Sequence, residues 1–446
     1  MRNFVYFGYG CTFQISCAIM SATPISRPAR HRNHSKGRYH LTLIEYFSNA
    51  HIDNIAACLR IKPDRMVLVG NAADMASAVS RYQTLLMQRN IGTEITVCDV
   101  QRMDLDDIAD VMKKIVLEAK DCVIDLTGGD ACVMMAVGAV WTGLPMDIRN
   151  RIRVFKYDHE AGVVRDCVND NKKIHTEDVN LTIEELIALH GGSIHPAAQP
   201  LVIGGFQDLN RLWQIVSEAP KDWNRDITLL SEFESRSASK THIVLPFEQL
   251  RNSVANFEAK ESIVRALLEK MHSAGMIDNR SNRYALEYTY TSPMFRYCTL
   301  KAGNALEVKT LLEGQAVREK DAQYFHDCKM SVSIDWDGIV HDPAQRVSET
   351  RNEIDVVFMH DTTPLFISCK NGSIGDEELY KLNTVAEHFG GPYARKMLIA
   401  ANLEQKSPAA NRSFIQRAWD MDIMLVTDAA ELPREGWENI FRKAMQ

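Results

Sequence analysis

The chain has 446 residues, of which 46% are hydrophobic and 24% charged, and its formal net charge is −7. This composition excludes a wholly disordered or fibrous protein and provides apolar material for two or three domains. The acidic balance argues against a dedicated non-specific nucleic-acid binder, so any such contact has to come from a local patch. No apolar run reaches the roughly 20 residues of a membrane helix, and we expect no membrane contact.

The ten cysteines are scattered, and none has the Cys-x-x-Cys or Cys/His spacing of a zinc site. Several stand inside apolar runs, as Cys122 and Cys369 do. Reduced thiols of this kind are typical of the cytosol. We therefore expect a cytoplasmic protein whose cysteines are mostly core residues.

Residues 1–38 differ from the rest, because an aromatic and small-residue stretch is followed by five basic residues without an acid. A secretory signal is conceivable, since residues 18–22 could hold a cleavage site. The single early arginine and the polar interruptions favour a disordered extension or an over-long start instead. The fold is therefore predicted from residue 39 onward.

Strands and helices alternate from residue 39. Strand-like apolar runs are separated by segments with helical apolar spacing, and the runs lie at 41–47, 66–70, 95–98 and 122–126. This alternation predicts a Rossmann-like parallel sheet with helices on both faces. The helix at 131–142 is apolar almost all round, so we expect it to be buried on both sides, in part by a second copy of the chain.

A glycine turn, Thr127-Gly128-Gly129-Asp130, joins the fourth strand to that helix. Glycines at the carboxyl end of a strand let backbone N–H groups approach a phosphate, and the helix dipole adds to the attraction. The alternative is a tight turn that needs glycine for backbone reasons alone. Asp130 would repel an anion at this place.

The middle of the chain is predicted to be a winged-helix-like connector. A helix at 259–272 is ended by Gly275 and followed by a strand-like alternation at 284–290. No basic stripe lies on the helix, which favours a connecting role over DNA reading. Gly191-Gly192 and the proline-rich loop to residue 200 mark the boundary before it.

The last 150 residues predict a helix, three strands, and then a helix, a strand, a helix and a strand. The predicted spans are 297–312, 330–336, 353–360, 365–370, 377–389, 397–400, 409–419 and 423–426.

Four residues of this region could carry chemistry. Glu353 and Asp355 point to one face of their strand, and Lys370 ends the next, otherwise apolar strand. Glu307 lies on the preceding helix. Clustered carboxylates bind Mg²⁺ or Mn²⁺, and a neighbouring lysine offsets phosphate charge, so this set indicates metal-dependent phosphodiester hydrolysis. The alternative is a pair of exposed acids and a lysine in a surface ion pair.

The order of elements resembles the restriction-endonuclease-like nucleases. Their pattern is an Asp at the start of one strand and an acid-x-Lys on the next, which Asp355 and Lys370 match. Ser368 stands where the acid is usual. Three interpretations follow: Glu307 or Glu353 supplies the carboxylate, the metal is bound more weakly, or the site is inactive. We favour the first.

A narrower resemblance is to the CARF-domain (CRISPR-associated Rossmann fold) ancillary nucleases of type III CRISPR systems. The runs that resemble this family are 352–356, 367–372, 379–391, 302–307 and, between the domains, 181–192. The resemblance implies that Glu307, Asp355 and the backbone carbonyl of Cys369 hold the metal.

The same resemblance implies a cyclic oligoadenylate activator bound across a homodimer. The loop after the first strand and the glycine turn would bind it, through Ser48, Asn49, Thr127, Gly128 and Gly129, with Asp130 as a departure from the family pattern.

The sequence thus predicts an α/β protein with a CARF-like sensor domain (39–195), a winged-helix-like connector (196–295) and a restriction-endonuclease-like domain (296–446). The predicted function is a messenger-activated, Mn²⁺- or Mg²⁺-dependent nuclease that cuts DNA or RNA in antiviral CRISPR defence. The alternative is a ligand-responsive nucleic-acid-binding regulator whose nuclease fold no longer cuts. A sensor domain that itself degrades the messenger is a third possibility.

Overall fold

The computed structural model describes residues 41–100, 104–159, 163–168, 172–174, 178–195, 206–321, 324–339, 351–404 and 407–446. The predicted extension, residues 1–38, lies outside this part of the chain. In the described part, no helix has both the length and the apolar character needed to cross a membrane.

The strands of the described residues, in chain order, are β1 (Leu41–Tyr46), β2 (Arg65–Gly70), β3 (Glu94–Asp99), β4 (Asp121–Asp125), β5 (Ile152–Asp158), β6 (Val163–Asp166), β7 (Lys172–Ile174), β8 (Ser193–Ile194), β9 (His242–Pro246), β10 (Ile277–Asn279), β11 (Ala285–Tyr290), β12 (Asp327–Asp335), β13 (Arg351–His360), β14 (Thr363–Ser373), β15 (Arg395–Glu404) and β16 (Ile423–Val426).

The α-helices of the same residues are α1 (Asp53–Ile61), α2 (Ala72–Gln88), α3 (Leu105–Glu118), α4 (Ala131–Gly143), α5 (Met146–Arg149), α6 (Ile183–Leu189), α7 (Phe206–Glu218), α8 (Pro220–Glu234), α9 (Phe247–Ser253), α10 (Phe257–Ser273), α11 (Pro293–Leu300), α12 (Asn304–Lys320), α13 (Asp376–Gly390), α14 (Pro408–Asp420) and α15 (Arg434–Ala444).

The first sheet has the strand order β3-β2-β1-β4-β5-β6-β7. Its first five strands are parallel, which confirms the predicted Rossmann-like sheet. The strands β6 and β7 extend it in antiparallel pairing. A connection of a few residues cannot cross over to make a parallel strand, so these two strands follow β5 as hairpins.

Helices cover both faces of this sheet, because successive side chains of a strand point to opposite sides. Leu43 packs with the apolar faces of α1, α2 and α6. Its neighbour Ile44 packs with α3 and α4. The carboxyl ends of β1 and β4, which carry the predicted ligand residues, therefore lie side by side at one edge of a doubly covered sheet.

The middle segment contains α7 to α10 and a three-stranded sheet with the order β10-β11-β9. All pairs in this sheet are antiparallel. The alternation of Tyr288 and Tyr290 in β11 places both rings in the interior, where their hydroxyls donate to Glu234 at 2.6 and 2.7 Å. The strand β9 precedes α9 and α10, whereas β10 and β11 follow them, and this small sheet beside helices agrees with the predicted winged-helix-like arrangement.

The last sheet has the order β16-β15-β14-β13-β12-β8. The strands β12, β13 and β14 form an antiparallel meander, and β15 and β16 run parallel to β14. The short strand β8 pairs with β12 at the far edge. Ser193 and Ile194, which precede the proline-rich loop, thus belong to the last sheet. The domain boundaries at 195 and 295 stay predictions.

The single helix predicted at 297–312 is wrong, because the chain forms two helices, α11 and α12, with a break at residues 301–303. The amide of Asn304, the first residue of α12, donates to the carbonyl of Tyr297 at 2.8 Å. This side-chain bond satisfies a carbonyl near the end of α11 and lets the chain change direction. The helix α15 was not predicted, although Trp437 and Phe441 bury its apolar face.

Candidate active site

The hairpin of β13 and β14 brings the predicted strand residues together. The pair Val356↔Ile367 fixes its register, so the next position, Asp355, stands opposite Ser368. Lys370 follows two residues later on the same face of β14. Ser368, which stands where the nuclease pattern has an acid, therefore lies directly beside the Asp355 carboxylate.

Three donors of β14 hold the Asp355 carboxylate. Its Oδ2 accepts from the backbone N–H of Cys369 at 2.7 Å, from Oγ of Ser368 at 3.2 Å and from Nζ of Lys370 at 3.3 Å. Its Oδ1 accepts none of the hydrogen bonds that the structure describes. The carboxylate is thus fixed through one oxygen.

Lys370 also contacts Glu378, whose Oε2 lies 3.2 Å from the ammonium. Burial lowers the pKa of Lys370, but the charges of Asp355 and Glu378 outweigh burial and hold the pKa above its usual value. The lysine therefore stays charged over the physiological range. Glu378 is not predicted from the sequence; it lies in the first turn of α13, and its only signal is its closeness to Lys370 along the chain.

Glu307 approaches from the other side, in the first turn of α12. Burial, together with the nearby charges of Asp355 and Glu353, raises its pKa to about 7. Its Oε2 accepts a hydrogen bond from the hydroxyl of Tyr297 at 3.3 Å. Burial and the two neighbouring acids therefore outweigh the opposing charge of Lys370 at this carboxyl.

Glu353, the fourth predicted residue, is exposed on β13. It lines the same cavity, of about 870 Å³, as Glu307, Asp355 and Lys370. Basic side chains share this wall, namely Lys301, Arg351 and Lys381. The cavity thus combines carboxylates with cations that suit a phosphodiester backbone.

A divalent metal fits the chemistry of these donors. Carboxylate oxygens are the ligands that Mg²⁺ and Mn²⁺ prefer, and Oδ1 of Asp355 is without a described bond. Across the described residues, no three His, Cys, Asp or Glu side chains converge closely enough to enclose an ion. The charge of Asp355 adds to burial in raising the pKa of Glu307, and a bound divalent cation would offset the repulsion between these two carboxylates.

Cys369 has no chemical role through its thiol. The side chain lies in the core on the opposite face of β14, with Sγ 3.4 Å from Oγ1 of Thr310. Burial holds its pKa well above the usual range, so it is not a nucleophile. Only its backbone can take part, as the N–H does towards Asp355.

The glycine turn of the first sheet packs tightly against β1. A Cβ on Gly128 would lie 2.6 Å from the carbonyl oxygen of Tyr46, and one on Gly129 would lie 2.7 Å from Cγ1 of Val133. Glycine is therefore required by close packing whether or not a ligand binds. The same Cβ on Gly128 would lie 3.5 Å from Cβ of Ser48, so the two predicted ligand loops are in contact.

The loop after β1 is fixed by Asn54, which the sequence analysis missed. Its Oδ1 accepts from the N–H of Ser48 at 2.8 Å, and its Nδ2 donates to the Ser48 carbonyl at 2.7 Å. Asn49 is exposed beside it. The loop is thus held by a buried amide while Asn49 is open to solvent.

Two predicted ligand residues use their side chains internally. Oγ1 of Thr127 donates to Asp125 at 2.5 Å and accepts from the N–H of Tyr157 at 2.8 Å. Asp130 is the N-cap of α4 and accepts from the N–H of Val133 at 2.9 Å. The carboxylate of Asp130 therefore occupies the helix end that the sequence analysis offered to a phosphate.

A mixed sheet with clustered acids and a lysine on its central hairpin is the arrangement of a restriction-endonuclease-like nuclease domain. Residues 299–438 match the family model described as the Card1-like endonuclease domain. The chain therefore carries an endonuclease domain in its C-terminal third, which confirms the resemblance noted for the nuclease half. No curated relative matches the sequence.

The fold of most of the chain is similar to two solved structures. One is protein VC1899 from Vibrio cholerae, with 16% identity and a TM-score of 0.69 over 91% of this chain and 99% of that one. The other is Can2 from Sulfobacillus thermosulfidooxidans in complex with cyclic tetra-adenylate, with 16% identity and a TM-score of 0.62 over 91% and 98%. At this identity the likeness concerns the fold, and it confirms the predicted fold class.

Proposed function

We propose that the endonuclease domain is divalent-metal-dependent and uses Asp355, Lys370 and Glu307, with Glu353 at the edge of the site. The observation that carries this proposal is the Asp355 carboxylate, bound by three donors of β14 within the cavity that Glu307 also lines. Mn²⁺ or Mg²⁺, held by Glu307, Asp355 and the Cys369 carbonyl, would polarise the scissile phosphate and activate a water.

The side chains of this chain do the remaining work. Lys370, kept charged by Asp355 and Glu378, offsets charge that develops on the phosphate. Lys301, Arg351 and Lys381 orient the nucleic-acid backbone along the cavity. Such phosphate contacts position a strand without reading its sequence, so the substrate is DNA or RNA of mixed sequence.

The test is cleavage of labelled single-stranded DNA and RNA by the purified chain with Mn²⁺, with Mg²⁺ and with a chelator. Cutting that requires the metal and disappears in Asp355→Ala supports the proposal. Activity that survives this substitution, or the chelator, would exclude it. Nucleic-acid binding without any cutting would favour the alternative, a regulator with an inactive nuclease fold, for which Ser368 is the supporting observation.

We further propose that the N-terminal sheet is a CARF-like sensor for a cyclic oligoadenylate, as part of antiviral CRISPR defence in the cytoplasm. Contact between the Ser48 loop and the Gly128 turn supports this, as does the likeness in fold to Can2, whose structure contains cyclic tetra-adenylate. Asp130 opposes it electrostatically. Activation of cleavage by cyclic tetra-adenylate is the test, and equal rates with and without it would remove the sensor role.

The proposed assembly is a homodimer through α4. Its buried face packs on the first sheet, while Met135 on the opposite face is 64% exposed. The helix is apolar almost all round, so the exposed face is the surface that a second copy would cover.

A further inference from the structure

The hydroxyl of Tyr297 lies between two polar side chains at the back of the active-site cavity. It is 3.3 Å from Oε2 of Glu307 and 2.8 Å from Oγ of Ser331. A phenol has one proton, so it can donate only one of these bonds. An ionised Glu307 can only accept, and the serine therefore donates to Tyr297, which in turn donates to Glu307.

Tyr297 is held firmly in this position. Its carbonyl accepts the bond from Asn304, one helical turn before Glu307 on the same helix. Burial and the charge of Glu307 raise the pKa of its hydroxyl, so the phenol keeps the proton that it donates. The ring and the carboxylate are thus fixed to the same short stretch of backbone.

Ser331 has an unusual backbone for a strand residue. Its φ is +49°, and among the non-glycine residues with positive φ in the described chain it alone lies inside a strand. The flanking pairs Met330↔Val356 and Val332↔Ile354 place it opposite Asp355. A left-handed serine within a strand is unfavourable and persists only where its surroundings hold it, which is a recurring property of functional sites.

We propose that Ser331 and Tyr297 are positioning residues that hold the Glu307 carboxylate in the active site. Asp355 and Glu353 repel this carboxylate, and a glutamate side chain has enough torsional freedom to turn away from them. The donated bond from Tyr297 opposes that turn. This inference rests on the proposed function, because it assigns a second layer of residues to the same metal site.

A purely structural role would also explain two half-buried hydroxyls that bond to each other, so the test has to separate a positioning role from a structural one. Tyr297→Phe removes only the donor. Tyr288→Phe is the matched control, because Tyr288 is a buried tyrosine that donates to Glu234 at 2.6 Å in the middle segment. Ser331→Gly removes the hydroxyl and relieves the positive φ, whereas Ser331→Ala removes the hydroxyl and keeps the strained backbone.

The measurements are Mn²⁺ binding by calorimetry without nucleic acid, melting temperature, and kcat and KM of cleavage. We expect Tyr297→Phe to weaken Mn²⁺ binding by about tenfold or more, as second-layer substitutions do, and to lower kcat with KM unchanged. Tyr288→Phe should leave both Mn²⁺ binding and kcat unchanged. Ser331→Gly should weaken Mn²⁺ binding and raise the melting temperature. Ser331→Ala should weaken Mn²⁺ binding and lower the melting temperature.

Mn²⁺ binding by Tyr297→Phe that equals the wild type would overturn the inference and leave the proposed function intact. Ser331→Gly that binds Mn²⁺ like the wild type would also overturn it, because the hydroxyl would then serve only the fold. A wild-type chain that neither binds Mn²⁺ nor cuts would overturn the proposed function and this inference together.

Discussion

The guanidinium of Arg60, in helix α1 beside the first sheet, forms an ion pair with the carboxylate of Asp361, in the turn between β13 and β14. Their side chains are 1% and 13% exposed. The same carboxylate accepts from the hydroxyl of Tyr157 at 3.0 Å and from the N–H of Val179 at 2.7 Å. One aspartate thus ties the parallel sheet to the hairpin that carries the candidate active site.

We expect Asp361→Asn to destabilise the protein by about 3–5 kcal/mol, because it removes the negative charge from a buried ion pair with Arg60. Urea unfolding measures this. The control is Asp278→Asn, whose partner Arg280 is largely exposed, and we expect it to change stability by no more than about 0.5 kcal/mol. Equal effects of the two substitutions would contradict the structural role of the pair.

The same carboxylate predicts acid sensitivity. Burial raises the pKa of Asp361, but Arg60 and the N–H groups of Asn180 and Val179 outweigh burial and leave the pKa below its usual value. A lowered folded-state pKa gives stability that is present above about pH 4 and lost as the pH falls further. Asp361→Asn should flatten the acid limb of unfolding free energy against pH, and an unchanged limb would argue against this assignment.

The active-site acids differ in their expected importance for cleavage. We expect Asp355→Asn and Glu307→Gln each to lower kcat by about 100-fold or more, since each removes a charged oxygen that would hold the metal. Ser368→Ala should have a small effect, because a neutral hydroxyl adds little to the binding of a hard cation. Cleavage rates against Mn²⁺ concentration test the series. Full activity in Glu307→Gln with loss in Ser368→Ala would mean that Ser368 is the functional ligand.

Without a divalent cation, the fold should lose stability as the pH rises through neutrality. The pKa of Glu307 is raised to about 7, so between pH 4.5 and 7 the folded state binds more protons than the unfolded state. In a chelator, the free energy of unfolding should therefore fall by about 1–2 kcal/mol from pH 5 to pH 8. One pKa unit corresponds to about 1.4 kcal/mol, and the expected fall is set below the full value because solvent screens the charges. Glu307→Gln should remove this slope, and a wild-type slope in that variant would place the titration elsewhere.

The dimer proposal depends on the exposed face of α4. Met135→Glu should shift the chain from dimer to monomer in sedimentation at micromolar concentration, because a charge replaces an apolar contact at the interface. Met87→Glu is the control, since Met87 is 75% exposed on α2. A stable dimer in Met135→Glu, or a monomer in Met87→Glu alone, would locate the interface on another surface.

The aspartate at the N-cap of α4 leads to a prediction for the proposed binding of cyclic tetra-adenylate. Asp130→Asn keeps a capping oxygen for Val133 and removes a negative charge, so it should tighten the binding of cyclic tetra-adenylate. Asp104→Asn is the control, because Asp104 caps α3 in the same way at the edge of the sheet. Calorimetry measures both affinities, and tighter binding in the control alone would exclude a local effect of Asp130.

Much of this architecture could be predicted from the sequence, because its signals are local. The alternating apolar runs predict the parallel sheet, and the turn residues predict the glycine loop. The adjacency of Asp355 and Lys370 followed from the two-residue period of neighbouring strands. The sequence also predicts that Glu307 joins them, and it lines the same cavity.

The tertiary structure decided everything that depends on how distant segments pack. The ion pair of Arg60 with Asp361 joins positions 301 residues apart, and no periodicity marks either residue. Tyr297 and Glu378 enter the site only because α11 and α13 are packed against its edges, and the left-handed backbone of Ser331 has no sequence signal. Side-chain period is a property of a few consecutive residues, whereas the approach of one element to another is set by the packing of the whole core.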